Sequence, residues 1–208
     1  MQSLTARTIT LSELEERFKL QLTEDPNAFS EWQNELPNLT TIERDRCDRI
    51  KSNYSYLLRY PPLLENTVKM VVLSPLLDMA GFFASPFRIR SEVSTEIVDR
   101  DGELKVTGNL DILVICENFW VLAIESKQAA FSLEVGRSQL LSYLLASPNT
   151  ANTYGLLTNG ANFTFLKLIP HFEGFTYAMS DEFNLRNREN GLYLVLQILK
   201  RLTREFIV

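Results

Sequence analysis

Residues 108–127 read GNLDILVICENFWVLAIESK. They contain two apolar runs, DILVIC at 111–116 and FWVLAI at 119–124, separated by Glu117-Asn118. Runs this uniformly apolar predict strands covered on both faces, the centre of a sheet. Glu117-Asn118 is the predicted turn between them. Ionisable residues border the runs: Asp111 opens the first, and Glu125 and Lys127 close the second. Aspartate is depleted in strands, so one placed directly before Ile-Leu-Val-Ile asks for a reason. Glu125 and Lys127 are two apart and share one face of their strand. A tight turn sets Asp111 opposite Ile124, one residue short of Glu125. A bulge or a longer turn would bring the two acids side by side. All three side chains then converge at one end of a hairpin.

Working upstream, residues 87–98 alternate as a strand, and Asp101-Gly102 is a strong hairpin signal before a return strand from Leu104. Before them, Leu63, Leu64, Val68, Val71, Val72, Leu76 and Leu77 predict a helix from Pro62 to about Ala80. Pro75 lies inside it and predicts a kink near Val71, and Gly81 is its expected stop. Thr40 and Glu43 have capping-box spacing ahead of a helical face running to about Arg59. Ser12 and Glu15 repeat that spacing ahead of a stripe of Leu11, Leu14, Phe18 and Leu22, and residues 23–39 read as a loop with one short helix.

Downstream, Leu133, Gly136, Leu140, Leu141, Leu144 and Leu145 predict a helix over roughly 132–145. Strands at 154–157 and 163–168 are joined by an Asn159-Gly160 turn, and a helix over about 191–206 closes the chain. A helix between the middle and later strands rules out a simple meander. The order predicts an α/β fold with a mixed central sheet flanked by helices.

Composition narrows the function. The 208 residues include 26 acidic and 21 basic side chains, a net charge of −5. Histone-like binding through overall positive charge is excluded, but a local basic groove is not. Arg88, Arg90, Lys105, Arg137 and Lys167 lie near the expected sheet and helix as candidate phosphate contacts or ordinary exposed cations. Cys47 and Cys116 make no disulfide framework, although they leave a single bridge open. The longest apolar stretch, 70–87, is interrupted by Ser74, Pro75, Asp78 and Gly81, and the stretch 1–10 is polar. No signal peptide or membrane span is expected, and a soluble, cytoplasmic protein is. His171 is the single histidine, so a histidine-based hydrolase has no further candidate base. There is no phosphate loop of the GxxxxGK[ST] kind.

Two carboxylates held together repel, and a hard divalent cation relieves the repulsion. Mg²⁺ takes oxygen ligands, often one or two carboxylates plus water and phosphate oxygens. It activates water and offsets charge on a phosphate, and an adjacent lysine adds to both effects. Asp111, Glu125 and Lys127 therefore suit a metal-assisted phosphodiesterase.

The pair of segments Gly108-Asn109-Leu110-Asp111 and Ile124-Glu125-Ser126-Lys127 resembles the PD-(D/E)xK nuclease superfamily. Gln139 and Tyr143, four apart on the following helix, resemble the QxxxY motif of its RecB-like branch. Glu65 matches the superfamily's helical acid. Leu64-Glu65, Ser74-Pro75-Leu76-Leu77, Gly81-Phe82 and Leu157-Thr158-Asn159-Gly160 look most like the N-terminal nuclease domain of type I restriction enzyme R subunits. The likeness spans roughly 62–170. Leu110 departs from the pattern by replacing the proline before the first acid, a proline that many members also lack. No counterpart of the helicase motor of such R subunits is expected in this chain.

The resemblance implies a restriction-endonuclease-like αβββαβ core at 61–208 with a helical extension at 1–60. It implies a Mg²⁺-dependent deoxyribonuclease of restriction or DNA-repair type, with Mn²⁺ as a substitute metal. Glu65, Asp111 and Glu125 would hold the metal, Lys127 would assist the nucleophile, and Gln139 and Tyr143 would orient Lys127 or a phosphate. DNA, a second copy of the chain and restriction–modification subunits are the expected partners. Each residue also has a plain structural reading: Asp111 as a strand start, Glu65 as a favourable charge at a helix N-terminus, Tyr143 as core. The alternative function is a non-catalytic nucleic-acid or protein interaction module on the same scaffold.

Overall fold

The structure is a computed structural model and describes residues 2–207; Met1, read above as part of the polar N-terminal stretch, and Val208 lie outside the described residues. The first element is a short strand, β1 (Gln2–Thr5). Helix α1 (Leu11–Phe18) follows, capped by Thr10, whose hydroxyl accepts from the Glu13 amide while the Glu13 carboxylate accepts from the Thr10 amide. The expected Ser12–Glu15 box is not the one used, because Thr10 has the extended backbone that a cap needs and Ser12 is already helical. Lys19 ends the helix in a left-handed conformation at φ 52°, so Leu22 falls in β2 (Leu20–Leu22) instead of on the helical stripe. After a 3₁₀ turn at Ser30–Trp32, α2 (Thr41–Leu57) starts at the expected Thr40–Glu43 box.

The next helix begins at Glu65 and not at Pro62, with Leu64 extended before it. Segment α3 (Glu65–Val68) passes through a wide π-type turn, Lys69–Leu73, into α4 (Ser74–Ala80). Pro75 has no amide to give to the preceding turn. The Ser74 amide donates five residues back to the Lys69 carbonyl, and this wide turn stands where a kink was expected. Gly81, at φ 95°, closes the helix.

The sheet strands are β3 (Phe87–Val98), β4 (Leu104–Cys116), β5 (Phe119–Ser126), β6 (Thr153–Thr158), β7 (Asn162–Pro170) and β8 (Phe175–Asn184). Helix α5 (Glu134–Leu145) connects β5 to its parallel neighbour β6, and α6 (Leu192–Arg204) closes the chain. All eight strands form one mixed sheet in the order β1-β4-β5-β6-β7-β8-β2, with β3 on the other edge of β4. The fold is therefore mixed α/β. Strands β1, β2 and β8 were not foreseen. Residues 1–60 are accordingly not purely helical, and Phe29, Leu39, Cys47, Ile50 and Tyr54 join the main core.

Two cores lie on opposite sides of the sheet. Val114, Leu122 and Ile124 pack with α2, α4 and α6, whereas Leu113 and Ala123 pack with α1 and α5. Val195, Ile198, Leu199 and Leu202 of α6 are fully buried, each worth about 1.5–3 kcal/mol in transfer from water. No described helix is long and apolar enough to cross a membrane. Cys47 and Cys116 are both free and buried, so the open disulfide alternative falls away.

One irregularity positions the site. Strand β4 pairs with β3 along almost its whole length. Its other edge meets β1 at residues 104–107 and β5 at residues 112–116. Residues 108–111 of that edge are left without a strand partner, in a seam between β1 and β5. Asp111 sits in this seam in the middle of a continuous strand, not at a strand start as expected.

Candidate active site

The seam brings together the residues that the sequence singled out. Between Val114 and Ile115 the β4–β5 ladder contains a bulge, and beyond it Ile112 pairs with Ile124. The same register carried one step further sets Asp111 level with Glu125. This is the bulged arrangement that a tight turn alone could not provide.

Asp111 is nearly buried. Its Oδ2 accepts the Ser126 amide at 2.7 Å, and its Oδ1 accepts Lys69 Nζ at 2.8 Å. Glu125 is 3% exposed, and its Oε1 accepts Lys127 Nζ at 2.8 Å. Its Oε2 is buried with no partner. Burial first, then the Asp111 charge, pushes the Glu125 carboxyl up to about 7; Lys127 opposes the rise and Glu65 adds to it.

Lys127 Nζ also donates to Gln139 Oε1 at 2.5 Å. Gln139 Nε2 donates to the Tyr143 hydroxyl at 2.9 Å, and that hydroxyl donates to the Asn109 carbonyl at 3.0 Å. A single buried chain of hydrogen bonds thus runs from Glu125 through Lys127, Gln139 and Tyr143 to the open edge of β4. The four-residue step between Gln139 and Tyr143 stacks them on one face of α5. The Tyr143 hydroxyl is pushed up to about 12, chiefly by burial, and remains a donor. Gly108 makes room for this: a Cβ there would lie 2.7 Å from both Ala6 Cβ and the Tyr143 ring. Gly136 does the same beside Lys127, where a Cβ would lie 3.0 Å from Cε.

Glu65 is half-buried at the start of α3 and stands apart from this chain. Its charge raises the pKa of both Glu125 and Lys69, but among the described residues it hydrogen-bonds neither. Lys69, one turn further along, is the residue that sequence reading missed. Burial tends to lower its pKa, but the hydrogen bond and charge of Asp111, then Glu92 and Glu65, outweigh burial and raise it. The available signal was its spacing of four from Glu65 on a helix leading into the sheet.

Among the described residues, no group of three or more Asp, Glu, His or Cys side chains is gathered closely enough to hold a metal alone. The donor set fits a hard cation bound by two carboxylates, Asp111 and Glu125, with water and phosphate oxygens completing its shell. The unpartnered Glu125 Oε2 is the atom that carries this fit. Two clefts adjoin the site. One, of about 380 Å³, is lined by Asn66, Lys69, Ser91, Glu92 and Asp111 among others. The other, of about 600 Å³, is lined by Arg7, Ser94, Asn109 and Tyr143 among others.

The candidate phosphate-binding cations divide. Lys167 is buried against Glu31 at 2.6 Å and cannot reach a nucleic acid. Lys105 pairs with Glu96, Arg137 with Glu134, and Arg88 with the Glu117 carbonyl. Arg90 is exposed. No known family matches the chain, and no curated protein matches it either.

Proposed function

We propose that this chain is a metal-dependent deoxyribonuclease of the PD-(D/E)xK type, of restriction or DNA-repair class, with a restriction-endonuclease-like core. The supporting observation is the buried row Asp111, Glu125, Lys127, Gln139 and Tyr143 at a seam in the sheet, with one carboxylate oxygen unpartnered. The element order α3–α4, β3, β4, β5, α5, β6 agrees with an αβββαβ core.

Phosphodiester hydrolysis joins a water oxygen to phosphorus and breaks one ester P–O bond. A divalent cation, Mg²⁺ or Mn²⁺, would be held by Asp111 and Glu125 and would supply Lewis acidity and a lowered pKa for water. The protein residues do the rest. The Lys127 ammonium is fixed by Glu125 and Gln139, so it would offset charge developing on a phosphate held by the metal without first being oriented. Tyr143 holds Gln139, and the Asn109 carbonyl holds Tyr143. Glu65 adds negative charge that favours a cation at the site. One such site cuts one strand, so cutting both strands of a duplex in one encounter calls for a homodimer or a partner subunit.

The test is cleavage of circular and linear DNA, single- and double-stranded, in Mg²⁺, Mn²⁺ or EDTA, with Lys127→Ala beside the native protein. Cleavage that needs metal and Lys127 supports the reading; equal cleavage by Lys127→Ala removes it. A second reading, a non-catalytic interaction module, draws on the pairing of both carboxylates with internal ammonium groups, Lys69 and Lys127. Metal-independent DNA or partner binding without cleavage under any metal would favour it.

A further inference from the structure

We propose that Lys69 is an exchangeable counter-cation of this site. Its ammonium holds Asp111 when no divalent cation is bound and passes to a phosphate of the nucleic acid when one is. The inference rests on the nuclease reading and assigns Lys69 as its phosphate-binding residue.

Four observations meet at this ammonium. First, among the described residues its one close partner is Asp111 Oδ1 at 2.8 Å; Glu92 lies at 3.6 Å and is largely exposed. The other Asp111 oxygen is fixed by the Ser126 amide, so Oδ1 is the atom open to exchange. Lys127, in contrast, is clamped by two partners.

Second, Lys69 begins the π-type turn, and its carbonyl takes the Ser74 amide. Such turns often mark functional positions in helices. Third, Glu92 has φ 53° in the middle of β3. Its neighbours Ser91 and Val93 pair normally with Ile112 and Leu110, so the break in the ladder falls opposite Asp111 alone. A non-glycine residue held left-handed within a strand is strained and persists where its surroundings demand it. Here its carboxylate lies 3.6 Å from the Lys69 ammonium.

Fourth, the cleft of about 380 Å³ opens directly on Lys69. Asn66 and Ser91 place neutral polar groups beside Lys69, while Met70, Leu77, Phe83 and Ile89 make most of the wall apolar. The ammonium borders this open space, so a phosphodiester oxygen entering it would meet Lys69. Glu65, Glu92, Asp111 and Glu125 put negative charge around the site in a chain of net charge −5, and a cation released toward an approaching phosphate offsets part of it.

The test uses Lys69→Gln, which keeps a donor for Asp111 and loses the charge, and Lys69→Arg, which keeps the charge. Mn²⁺ binding is measured by electron paramagnetic resonance without DNA. Duplex oligonucleotide binding is measured in Ca²⁺ across a salt series. Lys69→Gln should bind Mn²⁺ roughly tenfold more tightly, because a competing ammonium is gone. The same variant should bind the duplex more weakly, with a salt slope smaller by about one. Lys69→Arg should keep the native slope. A purely structural lysine would weaken both affinities or leave both unchanged, with an unaltered slope, and either result overturns the proposal. If the native protein binds neither Mn²⁺ nor DNA, the nuclease reading fails with it. If it binds both and Lys69→Gln matches it, the Lys69 assignment alone fails.

Discussion

Replacing Glu125 with glutamine keeps the shape of the side chain and an acceptor for Lys127, but removes a buried negative charge. The Glu125 carboxyl rises from the ordinary 4.5 to about 7 in the folded protein, first through burial and then through Asp111. Between those values the folded state holds a proton that the unfolded chain has released. Stability is therefore greatest below 4.5, falls as pH rises through 7, and is lowest above it. At about 1.4 kcal/mol for each pH unit, the loss across this window is roughly 3 kcal/mol. For a chain of this size that corresponds to roughly 6–12 °C in melting temperature. The assay is urea unfolding of both proteins in EDTA from pH 4.5 to 8.5. Their difference reports Glu125 together with its coupling to Asp111, Lys127 and Glu65, free of the groups remote from it, and Glu125→Gln should gain on the native protein as pH rises through this window. Adding Mg²⁺ at pH 8 should stabilise the native protein and leave the variant almost unaffected. Parallel stability curves for the two proteins would refute the reasoning, because the carboxyl would then titrate alike in the folded and unfolded states.

Other perturbations follow from the same geometry. Lys127→Ala leaves both Glu125 oxygens unpaired and should cost about 3–5 kcal/mol at pH 8, read by urea unfolding. Gly108→Ala puts a Cβ against Ala6 and Tyr143 and should cost about 1–3 kcal/mol, with loss of cleavage as Tyr143 shifts. Thr40→Ala removes the cap of α2 and should cost about 1 kcal/mol in thermal unfolding without affecting cleavage. Cys47, with its thiol pushed up to about 12 chiefly by burial, should resist alkylation at pH 8 in the folded protein and react once it is unfolded.

Much of this fold was legible because it is written in local signals. The apolar runs of β4 and β5, the Asp101-Gly102 and Asn159-Gly160 turns, and the stripe of α6 each carry their own period or turn chemistry. What escaped depends on distant partners. Strands β1 and β2 are short and largely exposed, and exist because β4 and β8 offer parallel edges far away in sequence. Strand β8 is the exception and escaped for another reason: it forms a hairpin with the preceding β7, but Thr176, Ser180, Asp181 and Glu182 leave it without a clear apolar run.

The candidate site divides similarly. Asp111, Glu125, Lys127, Gln139 and Tyr143 stand out because polar residues interrupt apolar elements; the structure links the last four in one hydrogen-bonded chain and sets Asp111 level with Glu125. Lys69 sits on a helix where a lysine is unremarkable, and only the fold carries it to Asp111. Glu92 looks like the polar half of an alternating strand, and nothing local announces its left-handed backbone.

The central claim is that Asp111 and Glu125 form a divalent-cation site beside Lys127. Crystals soaked in Mn²⁺ and measured for anomalous scattering test this directly. The account predicts one strong peak between the Asp111 and Glu125 carboxylates, within bonding distance of Glu125 Oε2, and its loss in Asp111→Asn. A peak elsewhere, or none at saturating Mn²⁺ with Lys69 still on Asp111, would contradict it.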